Sequence, residues 1–286
     1  MRPDKISLSV SIVTYKTDPA LLEAALLCST SGALSAQVYV VDNSPDDSLR
    51  KTAEAHGAIY LFPGSNLGFG RGHNLALTQI GSSSNYHLLL NSDISFEPSV
   101  LEELCAFMDL NPAIGWVMPN VLYPDGSRQE LCKRLPTPWD LFNRRFLRWP
   151  GASFSTAARD KFKCRDIDLS KIRKIPNLSG CFALVRTNVI QAIGGFDERF
   201  FLYLEDTDLV RRVGQVAHTI FYPHVDVYHV RGRGSYSNLK LLGHHVRSAI
   251  QYFCKWGWWI DNERTRSNRS VAFDECNFTS ASLLPK

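Results

Sequence analysis

Between Ser7 and Pro119 the chain alternates short apolar runs with longer runs of helical spacing, and this order narrows the fold more than any other feature. "SLSVSIVTY", "AQVYVVDN", "AIYLF", "YHLLLNSD" and "IGWVMP" predict strands; "DPALLEAALLCS", "DDSLRKTAEAHG", "NLALTQIG" and "EPSVLEELCAFMDLNP" predict helices between them. Asp18 caps the first helix with Pro19 in its first turn, and Gly57 stops the second. Such an order needs right-handed crossovers and gives a mainly parallel sheet with helices on both faces. Ligands bind beyond the carboxyl ends of the strands in sheets of this kind. Polar groups gather there in Thr14-Tyr15, Asp42-Asn43-Ser44 and Asn91-Ser92-Asp93, and the glycine-rich "GSNLGFGRGHN" follows the third strand. Each alone reads as turn chemistry. Four decorated strand ends together point to a ligand site.

After residue 118 the periodicity weakens. "LYPDGSRQEL" predicts a hairpin turning at Asp125-Gly126, and the rest of 119–176 reads as loops and short helices that build an acceptor site. "LSGCFALVRTNVIQAIGGFDERFF" predicts a strand, a short helix and a Gly-Gly turn, and "LEDTDLVRRVG" a helix start. "HTIFYPHVDVYHVRGRG" predicts a strand pair broken at Pro223, and "LKLLGHHVRSAIQYFCKWGWWI" a long amphipathic helix. The expected division is 1–118, then 119–261 as the second half of the same domain, then a loosely ordered polar tail over 262–286.

Net charge is only +4, but the positives cluster in Lys133–Trp149 and Val230–Gly234, with aromatics between them. Such patches fit an anionic membrane surface or a phosphorylated substrate; no nucleic-acid motif accompanies them, and nucleic acid is not an expected partner. The seven cysteines form no CxxC or Cys/His cluster, which argues against zinc and against a disulfide framework. No stretch approaches the ~18 unbroken apolar residues of a spanning helix. The expected location is the cytoplasm, or the cytoplasmic face of the inner membrane as a peripheral protein. "NLGFGRGHN" has neither the dinucleotide spacing nor the Lys-Ser/Thr of a Walker loop. Its small residues let backbone approach a ligand, and Asn66 and Asn74 either fix its shape or hold a sugar hydroxyl.

The succession "VSIVTY", "VVDNS", "NLGFGRGHN", "LLLNSD", "GCFALVRTNVIQAIGGFDERFFLYLEDTDLVRRV" and "HVRGRGS" resembles the family-two glycosyltransferases of GT-A fold. More narrowly it is similar to bacterial rhamnosyltransferase-like members that build lipopolysaccharide and other surface polysaccharides. The likeness runs from about residue 7 to 236 and leaves about 125–175 unmatched. It implies an α/β GT-A (Rossmann-like) sheet with a C-terminal acceptor-binding part. It further implies an inverting transfer of a sugar, best guess L-rhamnose from dTDP-rhamnose, to a glycan or lipid-linked acceptor. UDP-GlcNAc, UDP-Gal and UDP-Glc are alternative donors, and a catalytically silent nucleotide-sugar-binding scaffold is an alternative to an enzyme.

By the same likeness Asp42 accepts from the N3–H of a pyrimidine base, and Thr14 and Tyr15 line the base and ribose pocket. The nucleotide-sugar set also takes in Asn43, Asn66, Gly68, Arg71, Asn74, Asn91 and Ser92. Asn91-Ser92-Asp93 stands where the family has DXD, with Asn in the first acidic place. Asp93 is the expected ligand for Mg²⁺ or Mn²⁺, with His229 as partner and His224 as competitor. Arg231 and Arg233 are placed to neutralise the leaving diphosphate. "FLYLEDTDL" supplies the general base an inverting transfer needs: Asp206, with like charges nearby to raise its pKa. Glu205 holds acceptor or positions the helix start, and Asp208 is a first-turn acid. The final helix, with Trp256, Trp258 and Trp259, reads equally as an interfacial helix or as packing on the core.

Overall fold

The computed structural model describes residues 8–80, 84–141, 156–230, 239–271 and 278. The first half contains β1 (Leu8–Thr14), α1 (Pro19–Thr30), β2 (Ala36–Asp42), α2 (Arg50–Ala55) and β3 (Ile59–Leu61). It continues with α3 (Phe69–Ile80), β4 (Tyr86–Asn91), β5 (Ile94–Phe96), α4 (Ser99–Leu110) and β6 (Ile114–Leu122). Asp18 caps α1 as expected, its carboxylate accepting from Ala20 N at 2.9 Å. β3, β2, β1 and β4 lie side by side, all parallel. Alternate residues of β2 divide between the two faces. Val38 and Val40 join the core under α1 and α2, while Tyr39 and Val41 pack on Ala76 and Ile80 of α3.

The second half adds α5 (Thr156–Phe162), β7 (Arg173–Lys174), β8 (Phe182–Arg186), α6 (Thr187–Ala192) and α7 (Glu205–Val216). Then come β9 (His218–His229), α8 (Leu239–Trp256) and α9 (Asn262–Ser270). β8 enters the middle of the sheet between β4 and β6, antiparallel to both. β6 pairs with β9 in parallel, and β9 carries β5 and β7 antiparallel. β1–β4, β6 and β9 thus run one way and β5, β7 and β8 the other, a mainly parallel sheet. The expected division after residue 118 falls inside β6. The predicted hairpin forms, with Leu122 bridging Arg128 and Gly126 at φ 82° in its turn.

Three expectations change. The glycine-rich stretch is not a loop up to Asn74, because α3 begins at Phe69 and takes Gly70 and Gly72 into its first turn. The broken strand pair is one strand, β9, whose register jumps from Pro119↔Tyr222 to Asn120↔Asp226; Pro223, lacking an N–H, sits in the bulge. The polar tail begins as a helix, α9, capped by Asp261, which accepts from Arg264 N at 2.9 Å. Charge hid it: Arg264 is buried where an apolar residue would have marked a packed face.

Candidate active site

The expected polar groups do meet at one edge of the sheet. At the end of β1 and β2, Thr14 Oγ1 donates to Asp42 Oδ1 at 3.0 Å, and Ser44 N donates to the same oxygen at 3.0 Å. Tyr60 OH donates to Asp42 Oδ2 at 2.6 Å. Asp42 is fully buried. Its carboxylate ties three elements together and offers no open oxygen to a base edge, a departure from the role expected of it. Tyr15, half exposed, is the side chain of this group that faces outward. Asn43 reaches sideways, accepting from Leu67 N at 3.3 Å and donating to Gly68 O at 3.1 Å.

The turn after β4 carries Ser92 and Asp93, and β5 then pairs with the end of β9, Ile94 opposite His229. That register brings His229 Nε2 to 3.3 Å from Asp93 Oδ1. Gln129 settles the imidazole tautomer. Its amide nitrogen donates to His229 O at 2.9 Å and Leu122 O at 3.2 Å, which leaves Oε1 facing His229 Nδ1 at 3.1 Å. Nδ1 must then be the donor, and the other ring nitrogen points at a carboxylate. Two acceptors that close need a cation between them, a proton or a metal ion. Burial works against charge on His229, but Asp93 and the Cys181 thiol outweigh it and lift the pKa to about 10. The same arrangement fits a divalent ion. Among the described residues no group of three or more His, Cys, Asp or Glu is disposed to hold one. The protein would supply two ligands and a diphosphate the rest, as hard cations commonly bind. His224, the competitor, is exposed on the bulge and packs edge-on against Tyr222.

The turn at Leu178–Cys181 joins this pair to the acids of α7. Asn91 N donates to Cys181 O at 2.8 Å, Cys181 reaches His229, and Gly180 N donates to Asp206 Oδ2 at 3.2 Å. A Cβ on Gly180 would stand 3.0 Å from that of Asp206 and 3.7 Å from the Phe69 ring, so only glycine fits without displacement. Asp206 also accepts from Thr207 N at 2.7 Å, which locks its rotamer while the side chain stays half-buried. The two residues before α7, Tyr203 and Leu204, both have positive φ (71° and 64°). Such conformations cost free energy in non-glycine residues and persist where the surroundings over-determine them. Glu205 is buried with Oε2 unpartnered. Burial, then the charge of Asp206, raises its pKa to about 8. The like-charge effect expected among these acids is felt at Glu205. Asp208 is fully buried and does more than favour a helix start: it accepts from Arg212 Nε at 2.8 Å and Trp256 Nε1 at 2.8 Å, and pairs with Lys255 at 2.7 Å.

The glycines serve packing of protein on protein. A Cβ on Gly68, at φ +84°, would stand 2.2 Å from Phe201 O; those on Gly70 and Gly72 would press on Phe196 and Val13. Asn66 fixes the turn by accepting from Gly68 N at 2.9 Å. Asn74 pins the Gly-Gly turn, donating to Phe196 O at 2.9 Å and accepting from Phe196 N at 2.8 Å, so shape and not sugar contact is its visible role. Arg71 donates to Glu198 O at 2.9 Å and lies 3.7 Å from the Glu198 carboxylate. Arg231 and Arg233 lie outside the described residues. Sequence reasoning missed Gln129 and Gly180. Gln129 carries no local mark within its hairpin; Gly180 precedes its strand, where a search of strand ends does not look.

Comparison with known proteins bears on the family and the fold. The profile described as "Glycosyl transferase family 2" matches residues 9–194. Over 271 residues the chain is 28% identical to an N-acetylglucosaminyl-diphospho-decaprenol L-rhamnosyltransferase of Mycobacterium tuberculosis, covering 88% of this chain and 86% of that protein. Two solved structures share the fold. GalNAc-T7 with UDP, GalNAc and Mn²⁺ aligns at TM-score 0.60 and 13% identity over 86% of this chain, which spans only 48% of that one. The mannosyltransferase PcManGT of Pyrobaculum calidifontis, in complex with GDP-Man and Mn²⁺, aligns at TM-score 0.59 and 17% identity, over 93% of this chain and 69% of that one. With a GT-A sheet, acids gathered at its carboxyl edge and a profile match over most of its length, the chain is an enzyme that belongs to glycosyl transferase family 2.

Proposed function

We propose that this enzyme transfers L-rhamnose from dTDP-rhamnose, with inversion, to a surface glycan begun on a lipid diphosphate. The observation that carries the reading is the convergence of Asp93, His229 and Asp206 on one turn, Leu178–Cys181. Likeness to a protein named for rhamnosyl transfer to a lipid-diphosphate acceptor supports the choice of donor and acceptor. Tyr15 lines the nucleotide end, and Thr14 and Asp42 hold that wall in shape. Asp93 and His229 would hold a divalent ion, which when bound neutralises charge on the departing diphosphate. Asp206 takes the proton of the acceptor hydroxyl as its oxygen bonds to the anomeric carbon and the bond to the nucleoside diphosphate breaks. Glu205, uncharged near neutrality, keeps a second negative charge away from the attacking oxygen.

Replacing Asp206 by Asn keeps the carboxylate's shape and removes its basicity. Turnover should fall by roughly 10²–10⁴-fold while donor affinity, read by calorimetry, stays within about twofold of the parent. Undiminished turnover in Asp206→Asn would remove it as base. A thermal-shift screen of dTDP-rhamnose, UDP-GlcNAc, UDP-Gal and UDP-Glc, with and without Mn²⁺, tests the donor, since the right ligand stabilises by mass action. A shift with one of them that no hydrolysis or transfer of that nucleotide-sugar accompanies would favour the silent scaffold.

A further inference from the structure

The inner face of α8 holds the segment that aims Asp206. His244 stacks on Phe201 with centroids 4.7 Å apart, and His245 lies against Tyr203 at 5.3 Å. Ser248 Oγ donates to Leu202 O at 2.8 Å, and Tyr252 and Phe253 form a core with Phe200 and Leu204. Every residue from 200 to 204 thus rests on this one helix. Its far end is stapled too: Trp256 covers the Arg211 guanidinium at 4.0 Å, and Arg211 pairs with Asp261 at 2.7 Å.

The outer face is of another kind. Val246, Ile250, Cys254 and Trp258 recur every four residues and are exposed, with Arg247 beside them. Gly257, at φ +100°, ends the helix and turns out Trp259 and Ile260, which are 80% and 84% exposed. α9 follows at once, and its exposed residues include Arg266 and Arg269. No ion pair engages Arg247, Arg266 or Arg269 among the described residues, whereas the acids of this region, Asp261 and Glu263, are spent on Arg211. Apolar side chains ending in tryptophan and flanked by unpaired arginines match an anionic lipid surface, with the rings at headgroup depth. No described helix is long and apolar enough to cross a membrane, so contact by α8 is contact in the plane.

We propose that the outer face of α8, with Trp258–Ile260 and the start of α9, docks on an anionic lipid surface. This deepens the transferase reading and rests on it only for the choice of acceptor. One helix, about 10–12 Å across, then separates the lipid surface from the segment that carries Asp206, the reach of a sugar on a lipid-borne diphosphate.

The test uses the full chain, sedimented with vesicles of phosphatidylcholine alone or with about one third phosphatidylglycerol. The parent should bind the anionic vesicles at least tenfold more strongly than the neutral ones. The double variant Trp259→Ser/Ile260→Ser should lose at least tenfold of that binding, with its melting temperature and its rate on a water-soluble acceptor unchanged. Arg266→Gln/Arg269→Gln should erase the preference for the anionic lipid. Equal partition into both vesicles, or undiminished binding by the tryptophan variant, would overturn the proposal. So would a dimer of the parent that the tryptophan variant abolishes, since the patch would then belong to a second copy. Transfer without vesicle binding defeats the docking alone; vesicle binding without turnover of any nucleotide-sugar defeats the transferase reading alone.

Discussion

Gln129 is a residue whose work is visible only in three dimensions. Its amide is oriented by two backbone carbonyls, so it can present only its oxygen to His229. Replacing it by Leu frees the imidazole to rotate and to change tautomer. Positioning partners of this kind typically contribute 10–100-fold in metal affinity. Gln129→Leu should therefore raise the Mn²⁺ concentration for half-maximal activity by about that factor, with the rate at saturating Mn²⁺ recovering most of the parent value. An unshifted Mn²⁺ titration would reduce His229 to a satisfied strand histidine. Asp93 is legible as a strand-end acid, but its partnership with His229 rests on family likeness; nothing in local spacing joins that acid to a histidine far along the chain. The glycines misled for a related reason. Gly68, Gly70 and Gly72 look like room for a ligand, and the room is filled by Phe201, Phe196 and Val13.

Among the elements, β1 is the strand its pattern predicts, but its alternation of serine with apolar residues has a meaning that periodicity does not disclose. Alternating polar residues usually mark a solvated face. Here both faces are covered, and Ser9 and Ser11 are buried with two histidines. Ser11 Oγ lies 2.6 Å from His73 Nδ1 and 2.8 Å from His87 Nε2, and Ser9 Oγ lies 2.9 Å from His87 Nδ1. The filament of polar side chains joins β1, β4 and α3 through the core. Burial holds His87 down to about 3 and His73 well below its ordinary value. Unfolded, both take up protons near pH 6.5, so the unfolded state gains as pH falls below that, by about 1.4 kcal/mol per group per pH unit. Glu205 acts in the opposite sense: folded, it keeps its proton to about 8, so its contribution is lost as pH rises from about 4.5 to 8. On these groups stability peaks near pH 6.5. Thermal melts across about pH 4–9 should show that maximum. A midpoint unchanged down to about pH 5 would mean that the histidines do not stay neutral in the folded protein.

For the molecule as a whole, what the sequence disclosed follows the range of the interactions. Helix caps, strand propensity and the βα alternation act over a few residues, and the parallel half was legible from them. β8 was legible as a strand but not in its place. Its pairing with β4 brings Leu90 opposite Phe182, and no local pattern records a partner so distant in the chain. That placement joins the two halves at the centre of the sheet. Neither half has a seam along which to separate, and unfolding in urea should be one transition, with tryptophan fluorescence and far-UV circular dichroism superimposing. Two resolved transitions would show the halves to be independent. The direction of β8 has an effect during synthesis as well. Since it runs against its neighbours, its beginning is what arrives beside Asn91. A nascent chain that has emerged past Asp42 and Asp93 still lacks the backbone that gathers the acids, and a working centre waits on β8, α7 and β9, which bring that backbone, Asp206 and His229.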